Sequence, residues 1–129
     1  VDPGLASSID IAPTILARAG IQPFNGIQGR DLYSSPPPEA VIVEEDSQRV
    51  MTGFDRPQRV RTIVTDQYRM SLREGEDWDE LYDLSSDPGE IANLFAQQSS
   101  QTVRSELTEV MLRRIIELQD RSPLPAYRA

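Results

Sequence analysis

Two acidic clusters, Glu44-Glu45-Asp46 and Asp77-Trp78-Asp79-Glu80, are the first places in this chain where residue types could do chemistry. Carboxylates held at a fixed separation hydrolyse glycosides, and clustered ones bind calcium. Adjacent residues on a strand project to opposite faces, however, so neighbours in sequence do not converge. Asp77-x-Asp79 also lacks the glycine and the distal glutamate of a calcium loop. Both clusters therefore read as solvated charge. Phe54 and Trp78 stand on polar stretches, where a large ring either walls a pocket or folds down onto the core. The chain has no histidine, which removes the commonest general base and transition-metal ligand. Without cysteine it has no disulfide and no thiolate metal site.

Composition narrows the choice further. A chain of 129 residues is one domain by length, with room for a modest core. Its net charge of −8 argues against nucleic acid, and every cationic side chain is a scattered arginine. No apolar run approaches membrane-spanning length, so no membrane partner is expected. The opening Val1-Asp2-Pro3-Gly4 has neither a methionine nor a cleavable apolar segment, and reads as the start of a fragment of a longer protein.

The elements that must position these residues follow from periodicity. Ser7 or Ser8 caps a helix over about Ile9–Ala19 that stops at Gly20, with an irregular turn before Ala12 because of Pro13. Its apolar residues wrap more than one stripe, so it is expected to bury two sides. Residues 21–38 are loop, ending in the extended spacer Ser34-Ser35-Pro36-Pro37-Pro38. Residues 40–44 form an apolar strand expected inside a sheet, and Glu45 to Gln58 a long polar loop. Val60 to Thr65 and Tyr68 to Leu72 alternate about Asp66-Gln67, giving a hairpin with Tyr68, Met70 and Leu72 on one face. A strand over 80–84 follows the acidic turn. Residues 101–120 form the strongest helix, with Val103, Leu107, Val110, Met111, Ile115 and Leu118 on its apolar side. Ser122-Pro123 ends it.

Between strand and helix lies Asp87-Pro88-Gly89-Glu90-Ile91-Ala92-Asn93-Leu94. Asp87 as N-cap, Pro88 at the first helical position and Glu90 three after the cap predict one self-capped helical turn. Asn93 would end it in the left-handed conformation. The order helix, strand, hairpin, strand, helix implies an α+β fold: a small antiparallel sheet of about four strands packed against a long C-terminal helix, with an N-terminal helix and long loops.

The string E-L-Y-D-L-x-x-D-P-x-E-x-x-N-L over 80–94 resembles the C-terminal pattern of sulfatases in the alkaline-phosphatase superfamily. Ile9-Asp10-Ile11-Ala12-Pro13-Thr14-Ile15-Leu16 through Gly20-Ile21 is similar to that family's D-x-x-P-T segment. Gly29-Arg30-Asp31-Leu32 resembles its G-x-S-L element, with aspartate in place of serine. Residues 60–70 are similar to its R-x-(apolar)-R-T-x-x-Y strand pair. The resemblance implies a C-terminal subdomain, residues 1–129, with 1–38 as linking helix and loop and 39–129 as the sheet-plus-helix core. It also implies a partner, the N-terminal catalytic domain of the same parent chain. That domain would carry a formylglycine, made from a C/S-x-P-x-R motif, and a divalent cation such as calcium. Here the nearest string, Ser34-x-Pro36-x-Pro38, lacks the arginine, and no lysine or histidine stands ready for the sulfate. This chain alone is therefore expected to carry no catalytic residue and no metal ligand.

In that architecture the loop over 44–59 would edge the active-site mouth. Arg56 or Arg59 would meet an anionic group there, and Glu44 or Glu45 a cationic or hydroxylated one. Two alternatives share these features: the C-terminal part of a phosphodiesterase or phosphonate monoester hydrolase, and a free-standing acidic interaction module. The wide apolar surface of the first helix also predicts self-association through Ile9–Ala19 when no partner domain covers it.

Overall fold

The computed structural model describes residues 4–23, 26–50, 52–75 and 77–119. Four strands, β1 (Ala40–Asp46), β2 (Arg59–Thr65), β3 (Tyr68–Arg73) and β4 (Glu80–Asp83), form an antiparallel meander in the order β1-β2-β3-β4. The helix α2 (Gln101–Glu117) covers one face of it. Register explains the core. Ile42 lies opposite Ile63, Ile63 opposite Met70, and Met70 opposite Leu81, so one apolar row crosses all four strands. Ile63, Met70 and Leu81 are fully buried beneath Leu107 and Met111. Each such side chain contributes about 1.5–3 kcal/mol.

The hairpin forms as expected, without a primed turn. The Thr65 hydroxyl instead accepts the N–H groups of Tyr68 at 2.8 Å and Gln67 at 3.3 Å, bracing the two-residue connection from its flank. Tyr68, Met70 and Leu72 share the covered face, and α2 presents Val103, Leu107, Val110, Met111 and Ile115 to it. That helix stops at Glu117; residues 120–129, with the Ser122-Pro123 stop, lie outside the described residues.

Two expectations about the sheet are corrected. β1 is an edge strand, not an internal one, and it runs on through Glu45 and Asp46, so the long loop begins only at Ser47. Pairing extends because Glu44 and Asp46 both reach Arg61 on the neighbouring strand, at 2.9 Å each. An apolar strand sits at this edge because its alternate residues face α2: Ala40 is buried, whereas Val43 points outward.

The corner after β4 is tied down, but it is not the helical turn expected. The Asp87 carboxylate accepts the N–H groups of Ile91 at 2.9 Å and Ala92 at 2.8 Å, four and five residues on. Glu90 takes φ +54°, which ends any helical path, and its carboxylate pairs with Arg69 at 2.7 Å instead of closing a capping box. Asn93 works through its side chain. Its Oδ1 accepts from Leu81 N at 3.0 Å and Phe95 N at 2.9 Å, while its Nδ2 donates to Asp79 O at 3.0 Å. Leu94 N then donates to Leu81 O at 2.8 Å, so the corner covers the free edge of β4.

The N-terminal helix is a 3-10 turn, Ser8–Asp10, running into α1 (Ile11–Arg18). It ends in a Schellman motif: Gly20, at φ +70°, donates to Ala17 O at 3.2 Å and Ile21 to Leu16 O at 2.9 Å. Only one side of α1 is buried, and it is the side of Pro13 and Thr14, not the isoleucines. Buried Asp10 organises that side. Its Oδ2 accepts Ser7 N and its Oδ1 accepts Arg30 N, both at 2.9 Å, with Arg30 Nε at 3.8 Å. Arg30 also donates to Ser35 O at 2.7 Å and Leu5 O at 2.9 Å. Thr14 Oγ1 donates to Asp10 O at 2.6 Å and accepts Leu32 N at 3.0 Å. Gly29 lies so close to the Ile9 carbonyl that a Cβ there would overlap it. Asp31 pairs with Arg18 at 3.0 Å, and the Ser34 hydroxyl, Tyr33 N–H and Arg18 together hold its carboxyl below the ordinary range. Among the described residues no helix is long and apolar enough to cross a membrane.

Two substitutions test these ties. Asn93→Ala takes the acceptor from the half-buried Leu81 N–H and the exposed Phe95 N–H and should destabilise the chain by about 1–2 kcal/mol in urea unfolding. Gly29→Ala forces the loop off α1 and should cost a similar amount, about 1–3 kcal/mol. Unfolding midpoints indistinguishable from the parent sequence would show that neither tie is built as described.

Candidate functional site

Two loops meet at the end of the sheet where β1 passes into β2 and β3 into β4. Residues 47–58 form the first and 74–79 the second. Backbone bonds fix their bases: Ser47 N to Gln58 O at 2.9 Å, and Glu74 N to Arg59 O at 2.9 Å. Side chains join them to each other. Phe54 and Trp78 stack with centroids 6.2 Å apart and planes at 14°. The Arg73 guanidinium lies 4.1 Å from the Trp78 ring, and Arg56 donates to Gly75 O. Gly75, at φ +71°, makes the tight turn that offers this carbonyl. Trp78 touches both Phe54 and Arg73 and so helps join the loops, while 47% of it remains exposed.

The four candidate residues take different positions around this end. Glu44 faces the α2 side of the sheet and pairs with Arg61 at 2.9 Å. Glu45, its neighbour, lies on the opposite face across from Val60 and is exposed, so the two carboxylates do not converge. Arg59 pairs with Glu74 at 3.6 Å, and both side chains are about two-thirds exposed (67% and 63%). Arg56 reaches across to the second loop from the other side of the stack. Glu44 and Arg59 are thus brought near one centre, Arg61, while Glu45 and Arg56 are not.

Arg61 was not legible as a site residue because it sits mid-strand in an alternating segment. The signal that would have found it is parity: it shares a face with Ile63 and lies opposite Glu44. Arg61 binds Asp46 through two bonds, at 2.9 and 3.2 Å, as well as Glu44. That pairing holds the Asp46 carboxyl below its ordinary range and raises the Arg61 guanidinium above its own. Arg59, Arg61, Arg73 and Glu74 rim an open groove of about 450 Å³ whose floor is Leu72, Met111, Leu112 and Ile115. Of its three guanidinium groups only that of Arg59 stands in a largely exposed ion pair, the kind that can trade a carboxylate partner for another anion. No group of three or more metal-ligating side chains converges among the described residues.

Comparison with known proteins bears on this geometry. The family model described as N-sulphoglucosamine sulphohydrolase, C-terminal, matches residues 2–117. An uncharacterised sulfatase of Escherichia coli (strain K12), YidJ, is 30% identical over 122 residues, covering 94% of this chain and 24% of that protein. Among solved structures, BT4656, held in complex with its substrate D-glucosamine-2-N,6-O-disulfate, superposes with a TM-score of 0.69 at 23% identity. That match covers 88% of this chain and 24% of the other. BT1596, a 2-O GAG sulfatase, gives a TM-score of 0.72 at 22% identity, covering 86% and 25%. The chain thus spans about a quarter of the length of each of these proteins.

The Asp46–Arg61 pair makes a pH prediction. Asp46 titrates lower folded than unfolded, so its contribution is full above its unfolded pKa of about 4 and is lost as pH falls through the folded value. Arg61→Ala should move the Asp46 titration, followed by carbon-detected NMR, back up to the ordinary carboxylate range. An unmoved titration would show that Arg61 is not what holds it down.

Proposed function

This chain belongs to the family of N-sulphoglucosamine sulphohydrolase C-terminal domains, and we propose on that footing that it completes a sulfatase whose catalytic centre lies elsewhere in the parent protein. The match over residues 2–117, nearly the whole described chain, carries the reading. The relatives reported above are sulfatases, which favours sulfuric ester hydrolysis over the phosphonate and diester alternatives and over a free-standing acidic module. Residues 1–38 serve as the link and 39–129 as the sheet-plus-helix body.

The parent's N-terminal catalytic domain would supply the formylglycine and the divalent cation. Sulfate-ester cleavage in this family uses both, and this chain's contribution is to shape the approach to them. The two clasped loops and the adjoining ends of β1 and β2 form the rim. Arg56 or Arg59 meets an anionic substituent on the substrate, Arg59 by exchanging its exposed Glu74 partner. Glu44 or Glu45 meets a hydroxyl or amino group. A sulfated amino sugar offers that combination of groups, and the substrate bound to BT4656 is one.

The test is sulfate release by the full-length parent from glucosamine N-sulfate and glucosamine 6-O-sulfate, beside a phosphonate monoester. The parent should cleave a sulfated sugar and this chain alone should cleave none. Arg59→Ala in the parent should raise KM about tenfold, equivalent to about 1.4 kcal/mol, with kcat little changed. A parent that cleaves the phosphonate and no sulfated sugar would overturn the proposal, and unchanged KM would remove Arg59 from the rim.

A further inference from the structure

We propose that Trp78, with Phe54 beside it, is the contact for a second sugar ring, the one next to the sulfated residue, and so sets a preference for oligosaccharides over monosaccharides. This rests on the sulfatase reading above and extends its substrate beyond one ring. Both aromatics stand on the rim loops, Phe54 in 47–58 and Trp78 in 74–79, and neither belongs to the core beneath α2. Their centroids, 6.2 Å apart, lie at the wide end of stacked pairs. Phe54 therefore leaves much of the indole uncovered, and 47% of Trp78 is exposed.

The indole is held still. Arg73 lies 4.1 Å from its ring and is itself paired with Glu80 at 3.3 Å. The Arg73 N–H donates to Asp79 Oδ1 at 2.8 Å, which closes the loop one residue from Trp78. The Arg73 guanidinium also donates to Trp78 O at 3.3 Å. A ring fixed in this way loses little freedom when a ligand covers it. Polar groups flank it: Arg56, two residues from Phe54, donates to Gly75 O, three residues before Trp78. An aromatic surface bordered by hydrogen-bonding groups matches a pyranose, which has an apolar C–H face and a hydroxylated edge.

Size and position select the occupant. A fully covered tryptophan buries about 150–250 Å², so half of one offers about 100 Å². A protein partner would cover about 800 Å². One sugar ring fits that area and a protein does not. The ester to be cleaved must reach a formylglycine in the catalytic domain, so the sulfated ring lies inward of the rim. What meets the rim loops is then the next ring along the chain.

The experiment uses the full-length parent. Its tryptophans are replaced by 5-fluorotryptophan, and the Trp78 fluorine resonance is assigned by its loss in Trp78→Phe. The ligands are glucosamine N-sulfate and glucosamine 6-O-sulfate, each free and each linked to a second, unsulfated hexose. A two-ring ligand should shift the Trp78 resonance, and the free sulfated sugars should leave it in place. In turnover, Trp78→Ala should raise KM about tenfold for the two-ring substrate, with kcat and the monosaccharide KM unchanged. Trp78→Phe, which keeps a ring against Phe54, should lose less. A resonance unmoved by either two-ring ligand would overturn the proposal. So would KM values for one and two rings that rise together, since Trp78 would then serve only to tie the loops. The fluorine readout does not depend on turnover: a parent whose Trp78 responds to a two-ring ligand but which releases no sulfate would refute the function and leave the sugar contact standing.

Discussion

One row of side chains, Ile42, Ile63, Met70 and Leu81, running under Leu107 and Met111, decides what this chain can do by itself. A single helix covers a single face of a four-stranded sheet, and the fully buried apolar core is correspondingly small. Everything outside that row must be secured by other means. The structure does so with backbone-directed polar groups: Asn93 against β4, Thr65 in the hairpin, and Asp10 and Thr14 between α1 and its loop. Each supplies an acceptor to N–H groups that no strand or helix satisfies, which is the cheapest way to fix irregular chain.

This changes what the sulfatase-like signature residues mean. Asp10, Thr14, Gly29 and Arg30 stand in the sulfatase-like segments, and all four are occupied in holding one loop to one short helix. Asp31, which stands where serine is usual in the family pattern, performs a local task as well, accepting from Arg18 and from Tyr33 N–H. A motif can mark a family without marking its reaction, because a demanding piece of backbone geometry restricts residue choice as strongly as a transition state does.

Legibility from sequence followed the same division. The antiparallel sheet, the β2–β3 hairpin and the apolar side of α2 were readable because period-2 and period-3.6 patterns report directly which residues face a core. The corner at 87–94 was misread. Its residues satisfy the rules for a helix start, but Glu90 prefers Arg69 on the neighbouring strand, and a left-handed residue there stops the turn. β1 was misplaced for a related reason: an apolar run tells how much of a strand is covered, not whether a further strand lies beside it. The open groove was half legible: loop position pointed to Arg59, while Arg61 needed the register that only pairing with β1 provides.

The isoleucines of α1 show where such reading reaches its physical end. Sequence gave their spread around the helix and hence that one small sheet could not bury them all. It could not say which side stays uncovered. That choice falls to Asp10 and Thr14, whose hydrogen bonds hold the polar side of α1 against residues 29–32 and so turn the apolar side outward. The usual arrangement of an amphipathic helix is thereby altered: Thr14 and Pro13 are inside and the isoleucines outside. An arrangement that rigid, at a cost in exposed apolar surface, is stable only where the inner network outweighs it or where a neighbour covers the outer face.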